Sequence, residues 1–250
     1  MQRLLPTGEP AAVVADDTEL AKLYGFPENL DRPWVKVNFI SSADGAVSVS
    51  GRSAGLSDEN DKKVFLLGRK LADVVLVGAG TALVERYRGV QRDEVPDDWR
   101  VAHGLTPVPP VAVVTRRCSI DPSSGLLTDT QIPPIILTTE AAPERRRAAL
   151  VDAGAEVIIA GERDVDPKAA LDVLDAKGFR RVCCEGGPQL FGSLIAADLV
   201  DELCLSVAPV LTGGDARRIA VGPAPDAPVR LKLASVLHAD NLLMLRYLRD

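Results

Sequence analysis

Residues 73–81 read DVVLVGAGT, and residues 183–188 read CCEGGP. In each stretch a short apolar run, typical of a buried strand, leads into a glycine turn. Glycines there let the backbone approach a ligand closely and point several amide N–H groups outward, which suits a phosphate or a pyrophosphate. Two such turns in one chain indicate that the protein binds one dinucleotide.

Strand-like and helix-like segments alternate from Trp34 onward, a pattern typical of an α/β fold with a mostly parallel central sheet flanked by helices. Strands are predicted at residues 35–40, 74–77, 111–114, 135–137 and 157–160, before the Glu-Gly-Gly turn, and in the alternating segment 203–207. Helices are predicted after an N-cap at Ser57, between Pro143 and Gly154, between Asp166 and Gly178, and from the Gly-Gly turn to Ala197. Residues 229–237 and 242–248 flank a polar turn and predict a C-terminal antiparallel hairpin.

Composition narrows the class of protein. The chain has 250 residues, 46% of them hydrophobic, and a net charge of −6 without a long basic block. These values favour a globular protein that binds a small molecule, rather than nucleic acid or a membrane surface. Residues 1–33 are rich in proline and charge and predict an N-terminal arm, followed by a single domain over residues 34–250. The N-terminus shows no signal-peptide pattern, so we expect a cytoplasmic location.

The four cysteines and two histidines lack the spacing of a zinc site or of a disulfide framework, so we expect no metal and reduced, mostly buried thiols. GAGT is also not the common GxGxxG fingerprint, because position 83 is leucine. A purely structural turn is therefore an open reading of GAGT taken alone. The second glycine turn shifts the balance towards a nucleotide, because it opens a helix whose N-terminus favours an anion.

Three further polar positions follow strands. Glu185 lies at the carboxyl end of a strand, where ligands of open α/β sheets bind, and its carboxylate could accept a hydrogen bond from a ring or a sugar. Asp44 lies in a Ser-Ala-Asp-Gly turn, which is also a favoured turn pair without any function. Thr115 precedes Arg116 and Arg117, which could bind an adenosine 2′-phosphate or simply be solvated.

Together these motifs resemble a known family. Ser-Ala-Asp-Gly after the first strand, GAGT, Glu-Gly-Gly-Pro, then LVDEL at 199–203 and Ala208-Pro209 occur in that order over residues 34–250. The set is similar to the riboflavin-biosynthesis pyrimidine reductases, the reductase half of bifunctional deaminase-reductases, which share the dihydrofolate-reductase fold. The zinc motif of the deaminase half is absent from the sequence.

The resemblance implies a homodimeric, NADPH-dependent reductase. Its substrate would be a phosphoribosylamino-pyrimidine of the 5-amino-6-(5-phosphoribosylamino)uracil type, reduced by hydride delivery to the sugar carbon. Cofactor contacts implied by the resemblance are Gly78, Ala79, Gly80, Thr81, Glu85, Thr115, Gly186, Gly187, Pro188, Gln189 and Leu190. Substrate contacts implied are Ser53, Arg69, Arg92 and Glu185. Asp44 and Glu185 are the candidates for polarising the acceptor or supplying a proton, which could equally arrive through water.

The chain departs from the family pattern at three places. Asn38 replaces a common lysine, Gly55 replaces a frequent tryptophan, and Arg86-Tyr87-Arg88-Gly89 replaces an Asp-Pro segment. These departures leave two alternatives open: a reductase of dihydrofolate or another pteridine on the same fold, and a non-catalytic NADPH-binding protein.

Overall fold

The computed structural model describes residues 1–5, 17–95 and 97–250. A ten-stranded sheet runs through it in the order β1-β9-β10-β8-β2-β7-β3-β4-β5-β6. The strands are β1 (Gln2–Leu5), β2 (Trp34–Ser42), β3 (Val74–Gly78), β4 (Val111–Val114), β5 (Ile135–Thr138), β6 (Glu156–Ile159), β7 (Arg181–Cys184), β8 (Glu202–Ala208), β9 (Leu231–Ala239) and β10 (Leu242–Arg249). The helices are α1 (Asp17–Leu23), α2 (Glu59–Leu71), α3 (Ala79–Val84), α4 (Asp97–Ala102), α5 (Gly125–Thr128), α6 (Glu144–Asp152), α7 (Pro167–Ala176) and α8 (Pro188–Ala196). Among the described residues, no helix is both long and apolar enough to cross a membrane.

The seven strands β8, β2, β7, β3, β4, β5 and β6 pair in parallel. The remaining three pair antiparallel with their neighbours: β10 with β8, β9 with β10, and β1 with β9. The hairpin of β9 and β10 turns at Asp240 and Asn241, both with positive φ. The predicted fold class is therefore confirmed: a mostly parallel central sheet flanked by helices, with a C-terminal antiparallel hairpin.

The central strands are buried on both faces, which explains why they read as continuous apolar runs rather than as alternating ones. On one face Val35, Leu76 and Cys184 pack with residues of α7 and α8. On the other face α2 packs through Val64, Leu67 and Leu71 against the end of the sheet formed by β8 to β10. All four cysteines are buried, as predicted.

Helix α2 begins one residue later than the sequence predicts. The N-cap is Asp58, whose carboxylate accepts the backbone N–H groups of Asn60 and Asp61 at 2.9 Å. The Ser57 hydroxyl instead donates to the Asp61 carboxylate at 2.6 Å. The prediction of Ser57 as N-cap was wrong because a carboxylate in the next position serves the first-turn amides and leaves the hydroxyl for another acceptor.

Residues 86–110 include α4, and the GAGT turn leads at once into α3. Within the predicted arm, β1 pairs with β9 and Leu20 of α1 is buried. Residues 6–16 of that arm lie outside the described residues. The division into an arm and one domain stays a prediction.

Candidate active site

The two glycine turns lie side by side because β3 and β7 are neighbours in the sheet. The Gly78 N–H donates to the Gly186 carbonyl at 2.7 Å, and a Cβ placed on Gly78 would lie 3.4 Å from the Gly187 nitrogen. The peptide bond between Gly186 and Gly187 is cis. Turns that are about a hundred positions apart in sequence therefore form one surface at the carboxyl edge of the sheet.

Side chains are excluded from this surface by close packing. Gly186 has φ +82°, and a Cβ there would lie 2.5 Å from the Phe39 ring. A Cβ on Gly187 would overlap the Thr81 hydroxyl. The second turn is therefore bare backbone, with Thr81 covering it from the first turn.

Helix α8 begins in the second turn. Gly187 is its N-cap and makes no side-chain cap, and Pro188 fills the first helical position. The first-turn N–H groups of a helix have no partners inside the helix, and the helix dipole places partial positive charge there. This terminus is suited to an anionic group such as a pyrophosphate.

A cleft of about 1860 Å³ opens over the turns. Ten of the predicted cofactor residues line it: Gly78, Ala79, Gly80, Thr81, Glu85, Thr115, Gly187, Pro188, Gln189 and Leu190. Gly186 lies behind that wall, bonded to Gly78. We call the part of the cleft formed by residues 78–81, Thr115 and residues 187–190 the glycine half.

A second part of the cleft wall comes from α2, from β2, and from the segments that follow α3 and β7. It is lined by Asn38, Asp61, Phe65, Tyr87 and Glu185, which we call the helix half. Asp61, Phe65 and Arg69 follow one another at four-residue spacing and so lie along one side of α2. The Arg69 guanidinium stacks 4.5 Å from the centre of the Phe65 ring.

Glu185 is the centre of a buried network in the helix half. Its side chain is 1% exposed and accepts Arg69 Nε at 2.8 Å and Arg69 Nη2 at 2.9 Å. The Tyr87 hydroxyl donates to the same carboxylate at 2.6 Å, and Arg69 also binds Glu94 at 2.9 Å. Burial and the nearby Glu185 carboxylate raise the pKa of Tyr87. Glu185 is thus held as the acceptor in a bidentate ion pair.

The predicted substrate residues are only partly brought together. Ser53 lines the cleft, and its N–H donates to Glu85 at 2.9 Å, which joins a predicted substrate contact to a predicted cofactor contact. Arg69 faces Glu185 and Glu94. Arg92 lies outside the cleft wall, with Nε 3.3 Å from the Gln131 oxygen.

Three cations that the sequence patterns did not predict line the cleft. They are Lys62 on α2, Arg146 on α6 and Arg217 in the loop after β8, and all three are exposed. Lys62 is the neighbour of Asp61 on a helix whose start is visible in the sequence. The Arg217 carbonyl accepts a hydrogen bond from the Val47 N–H at 3.1 Å, which fixes the loop beside the cleft. No local sequence pattern predicts this contact.

Asp44 does not line the cleft. Its carboxylate accepts the Ser42 hydroxyl and the N–H groups of Thr212 and Gly213, the latter at 2.7 Å. These hydrogen bonds, that of Ser42 first, lower the pKa of Asp44 to about 2. The side chain therefore holds two loops together as a carboxylate.

Basic residues stand at the end of the glycine half. Arg116, Arg117 and Arg146 line the cleft beside Thr115. Arg116 pairs with Asp164 at 3.1 Å and Arg146 donates to the Arg117 carbonyl at 3.3 Å. Within the described residues the Arg117 side chain has no hydrogen-bond partner, so it is available to a ligand.

Comparison with known proteins agrees with this geometry. The family model described as the RibD C-terminal domain matches residues 33–245. A 2,5-diamino-6-ribosylamino-4(3H)-pyrimidinone 5′-phosphate reductase of Archaeoglobus fulgidus is 34% identical over 184 residues, 73% of this chain and 83% of that protein. The protein of the same name from Methanothermobacter thermautotrophicus is 33% identical over 208 residues, 81% of this chain and 91% of that protein.

A solved structure shares the backbone. A pyrimidine reductase-like protein of Corynebacterium diphtheriae superposes with a TM-score of 0.78 at 27% identity, covering 87% of this chain and 92% of that one. The likeness therefore extends over most of the chain rather than over the glycine turns alone.

Proposed function

Because the chain belongs to the RibD C-terminal domain family, we propose that it reduces a 6-ribosylamino-pyrimidine 5′-phosphate in riboflavin biosynthesis, with NADPH as the hydride donor. The observation that carries this proposal is the single cleft in which two bare glycine turns meet the Glu185–Arg69 network. One wall is suited to a dinucleotide, and the other to a polar ring and sugar.

The residues present fit a nicotinamide dinucleotide. Gly187 and Pro188 line the cleft at the N-terminus of α8, and a Cβ at Gly186 or Gly187 would overlap Phe39 or Thr81, so the turn carries no side chain at either position. Thr81 and the amides of residues 187–190 would hold the pyrophosphate. Bound there, the cofactor would supply a hydride.

Arg117 supports NADPH rather than NADH. Its guanidinium has no hydrogen-bond partner among the described residues, and it lies next to Thr115 at the end of the glycine half. Guanidinium groups bind phosphates through a planar fork of donors. We assign it to the 2′-phosphate that distinguishes the two cofactors.

On the helix half, Glu185 and Tyr87 line the cleft as parts of one hydrogen-bonded network. Their part in the reaction is to position the substrate, because a carboxylate in a bidentate ion pair is already committed as an acceptor. Lys62 and Arg217 are the exposed cations in the wall that could take the sugar phosphate. Binding energy spent on such positioning is a large source of rate enhancement.

The test is NADPH oxidation by the purified full chain with three acceptors: the diaminopyrimidinone phosphate, the corresponding uracil phosphate and dihydrofolate. We expect turnover on a ribosylamino-pyrimidine phosphate and none on dihydrofolate. Turnover on dihydrofolate alone would identify a pteridine reductase, and bound NADPH without any turnover would identify a pure binding protein. A variant with Asn38→Lys separates the pyrimidines from the pteridine further if that position contacts the ring.

We also propose that the enzyme is a homodimer, as the resemblance implies. Sedimentation equilibrium of the full chain measures this directly, and a mass equal to one chain would contradict it.

A further inference from the structure

Asp61 is a buried acid in the cleft wall. Its residue is 7% exposed, yet it contributes to the helix half, one turn before Phe65 and two turns before Arg69 on the same side of α2. Arg69 reaches Glu185 from that side. A substrate held against Glu185 and the Phe65 ring would therefore lie along the stretch of helix that carries Asp61.

The carboxyl group of Asp61 is buried and accepts hydrogen bonds from hydroxyl groups. The Ser57 hydroxyl donates to Oδ2 at 2.6 Å, and Ser206 adds a second hydroxyl hydrogen bond from β8. In the described part of the chain no cation forms an ion pair with it. Burial raises the pKa of Asp61, with Asp58 adding to the effect, and the hydroxyls only partly oppose it.

The charged and titratable groups on the elements packed around Asp61 do not reverse the rise in its pKa. They are Asp58 and exposed Lys62 on or next to α2, Arg69 two turns away, Tyr24 after α1, Lys36 on β2, Glu202 on β8, Arg246 on β10 and Asp240 in the hairpin turn. The three charged groups on β2, β8 and β10 pair with one another: Glu202 forms ion pairs with Lys36 at 3.3 Å and with Arg246 at 2.7 Å. The Asp240 carboxylate accepts a hydrogen bond from the Asn60 side-chain amide at 3.0 Å.

The other carboxyl groups predicted for the site are occupied otherwise. Glu185 accepts Arg69 and Tyr87. Asp44 lies off the cleft with its pKa held at about 2. Glu85 accepts the Ser53 N–H. Asp61 combines a place in the cleft wall with a pKa that burial raises.

We propose that Asp61 is the general acid of the reduction, protonating the sugar ring oxygen as the ring opens; this inference rests on the proposed function. In the substrate, C1′ is bonded to the exocyclic nitrogen and to the ring oxygen O4′. When the C1′–O4′ bond breaks, its electron pair stays on O4′, which takes the proton of Asp61 and becomes the 4′-hydroxyl.

The nitrogen lone pair meanwhile forms a C1′=N bond, and C1′ then accepts the hydride with its two electrons. The electrons of that double bond return to nitrogen. Asp61, left as a carboxylate, regains a proton from water. One hydride and one proton are consumed for each ribitylamino product formed.

The experiment compares Asp61→Asn with the wild type in single turnover over a range of pH, with NADPH and the ribosylamino-pyrimidine phosphate both saturating. Loss of a general acid lowers rates by about 10²–10⁴-fold. We expect a drop in that range with unchanged dissociation constants for NADPH and substrate. The wild-type rate should fall as pH rises through the pKa of Asp61, above the ordinary value of 3.8, and the variant should lack this limb. Asp152→Asn, which makes the same charge change at an exposed acid at the end of α6, serves as the matched control and should keep wild-type rates.

A second readout does not depend on turnover. A buried acid whose folded pKa is raised stabilises the fold below its unfolded pKa and loses that contribution as pH rises through the folded value. Asp61→Asn should therefore match the wild-type melting temperature at low pH and exceed it at higher pH. Carbon-13 NMR of the labelled aspartates should show a resonance with a raised pKa that vanishes in the variant.

Three results overturn the inference: a variant rate within a few-fold of wild type, an unchanged pH profile, or no raised aspartate resonance. Failure of the proposed function looks different, because the wild type itself would then give no turnover at any pH while the NMR and melting results still hold.

Discussion

In the glycine half of the cleft the wall is backbone, and the residues that matter there are those that lack a side chain. In the helix half the wall is made of charged and aromatic side chains that hold one another through Glu185 and Arg69. The first wall is set by steric exclusion, as at Gly186 against Phe39. The second is set by electrostatics in a buried place, where Arg69 is 9% and Glu185 1% exposed. The difference teaches that one cleft can combine a wall shaped by backbone packing with a wall held together by buried charges.

The helix half should be the more fragile. Glu185→Gln removes one charge of a buried ion pair and leaves Arg69 with Glu94 alone, a change that costs about 3 kcal/mol of unfolding free energy. Urea unfolding measures it, and NADPH affinity should stay unchanged because the glycine half is untouched. Asp172→Asn, which breaks the exposed Lys168–Asp172 pair at 2.7 Å, should cost at most about 0.5 kcal/mol. Equal costs for the two variants would mean that burial does not distinguish the halves.

The glycine half should respond in cofactor affinity. Gly186→Ala adds a Cβ 2.5 Å from Phe39 at φ +82°, so the turn must move. The left-handed conformation alone costs roughly 1–2 kcal/mol. We expect calorimetry to show NADPH binding about tenfold weaker, which corresponds to about 1.4 kcal/mol. Gly178→Ala has nearly the same φ, +80°, with no atom within 4 Å of the added Cβ. An equal loss of NADPH affinity in that control would remove close approach as the explanation.

The smallest effect should come from the exposed end of the glycine half. Arg117→Ser removes the solvent-exposed guanidinium that we assign to the 2′-phosphate, a contact expected to contribute about 1 kcal/mol or about fivefold in affinity. NADPH binding should weaken and NADH binding should not. Arg145→Ser, on the outer side of α6, should leave both unchanged. Parallel weakening of NADPH and NADH would assign Arg117 to a part of the cofactor that the two share.

The sequence predicts most of this fold because its signals are local. Apolar runs predict β3 and β7. The glycines that follow β7 are required because a Cβ there would overlap Phe39 or Thr81. The helix half is harder to predict, since Arg69 and Glu185 meet across 116 positions and Tyr87 and Glu185 across 98. No residue near Arg69 in the sequence indicates that its guanidinium forms an ion pair with Glu185. The place of Asp61 in the cleft wall is hard to predict for a similar reason. The sequence pattern predicts Ser57 as a helix cap, whereas its hydroxyl donates to the Asp61 carboxylate.

For two residues, the position in a motif did not predict whether the side chain lines the cleft. Asp44 lies at a strand end, as a catalytic acid often does, but its turn faces Thr212 and Gly213. Arg92 stands at a family position for substrate, yet lies outside the cleft wall beside Gln131. Both outcomes depend on loop paths, which local sequence patterns do not specify. Their roles in substrate turnover stay predictions.

The destination of the hydride tests the central claim most directly. The full chain is incubated with NADPH deuterated on the transferred position and with the ribosylamino-pyrimidine phosphate, and the product is analysed by NMR and mass spectrometry. We predict one deuterium for each product molecule, located on C1′ of the new ribityl chain. Deuterium on the pyrimidine ring, or NADPH bound and retained without any labelled product, would contradict the assignment of the glycine half to the hydride donor and the helix half to the sugar-bearing pyrimidine.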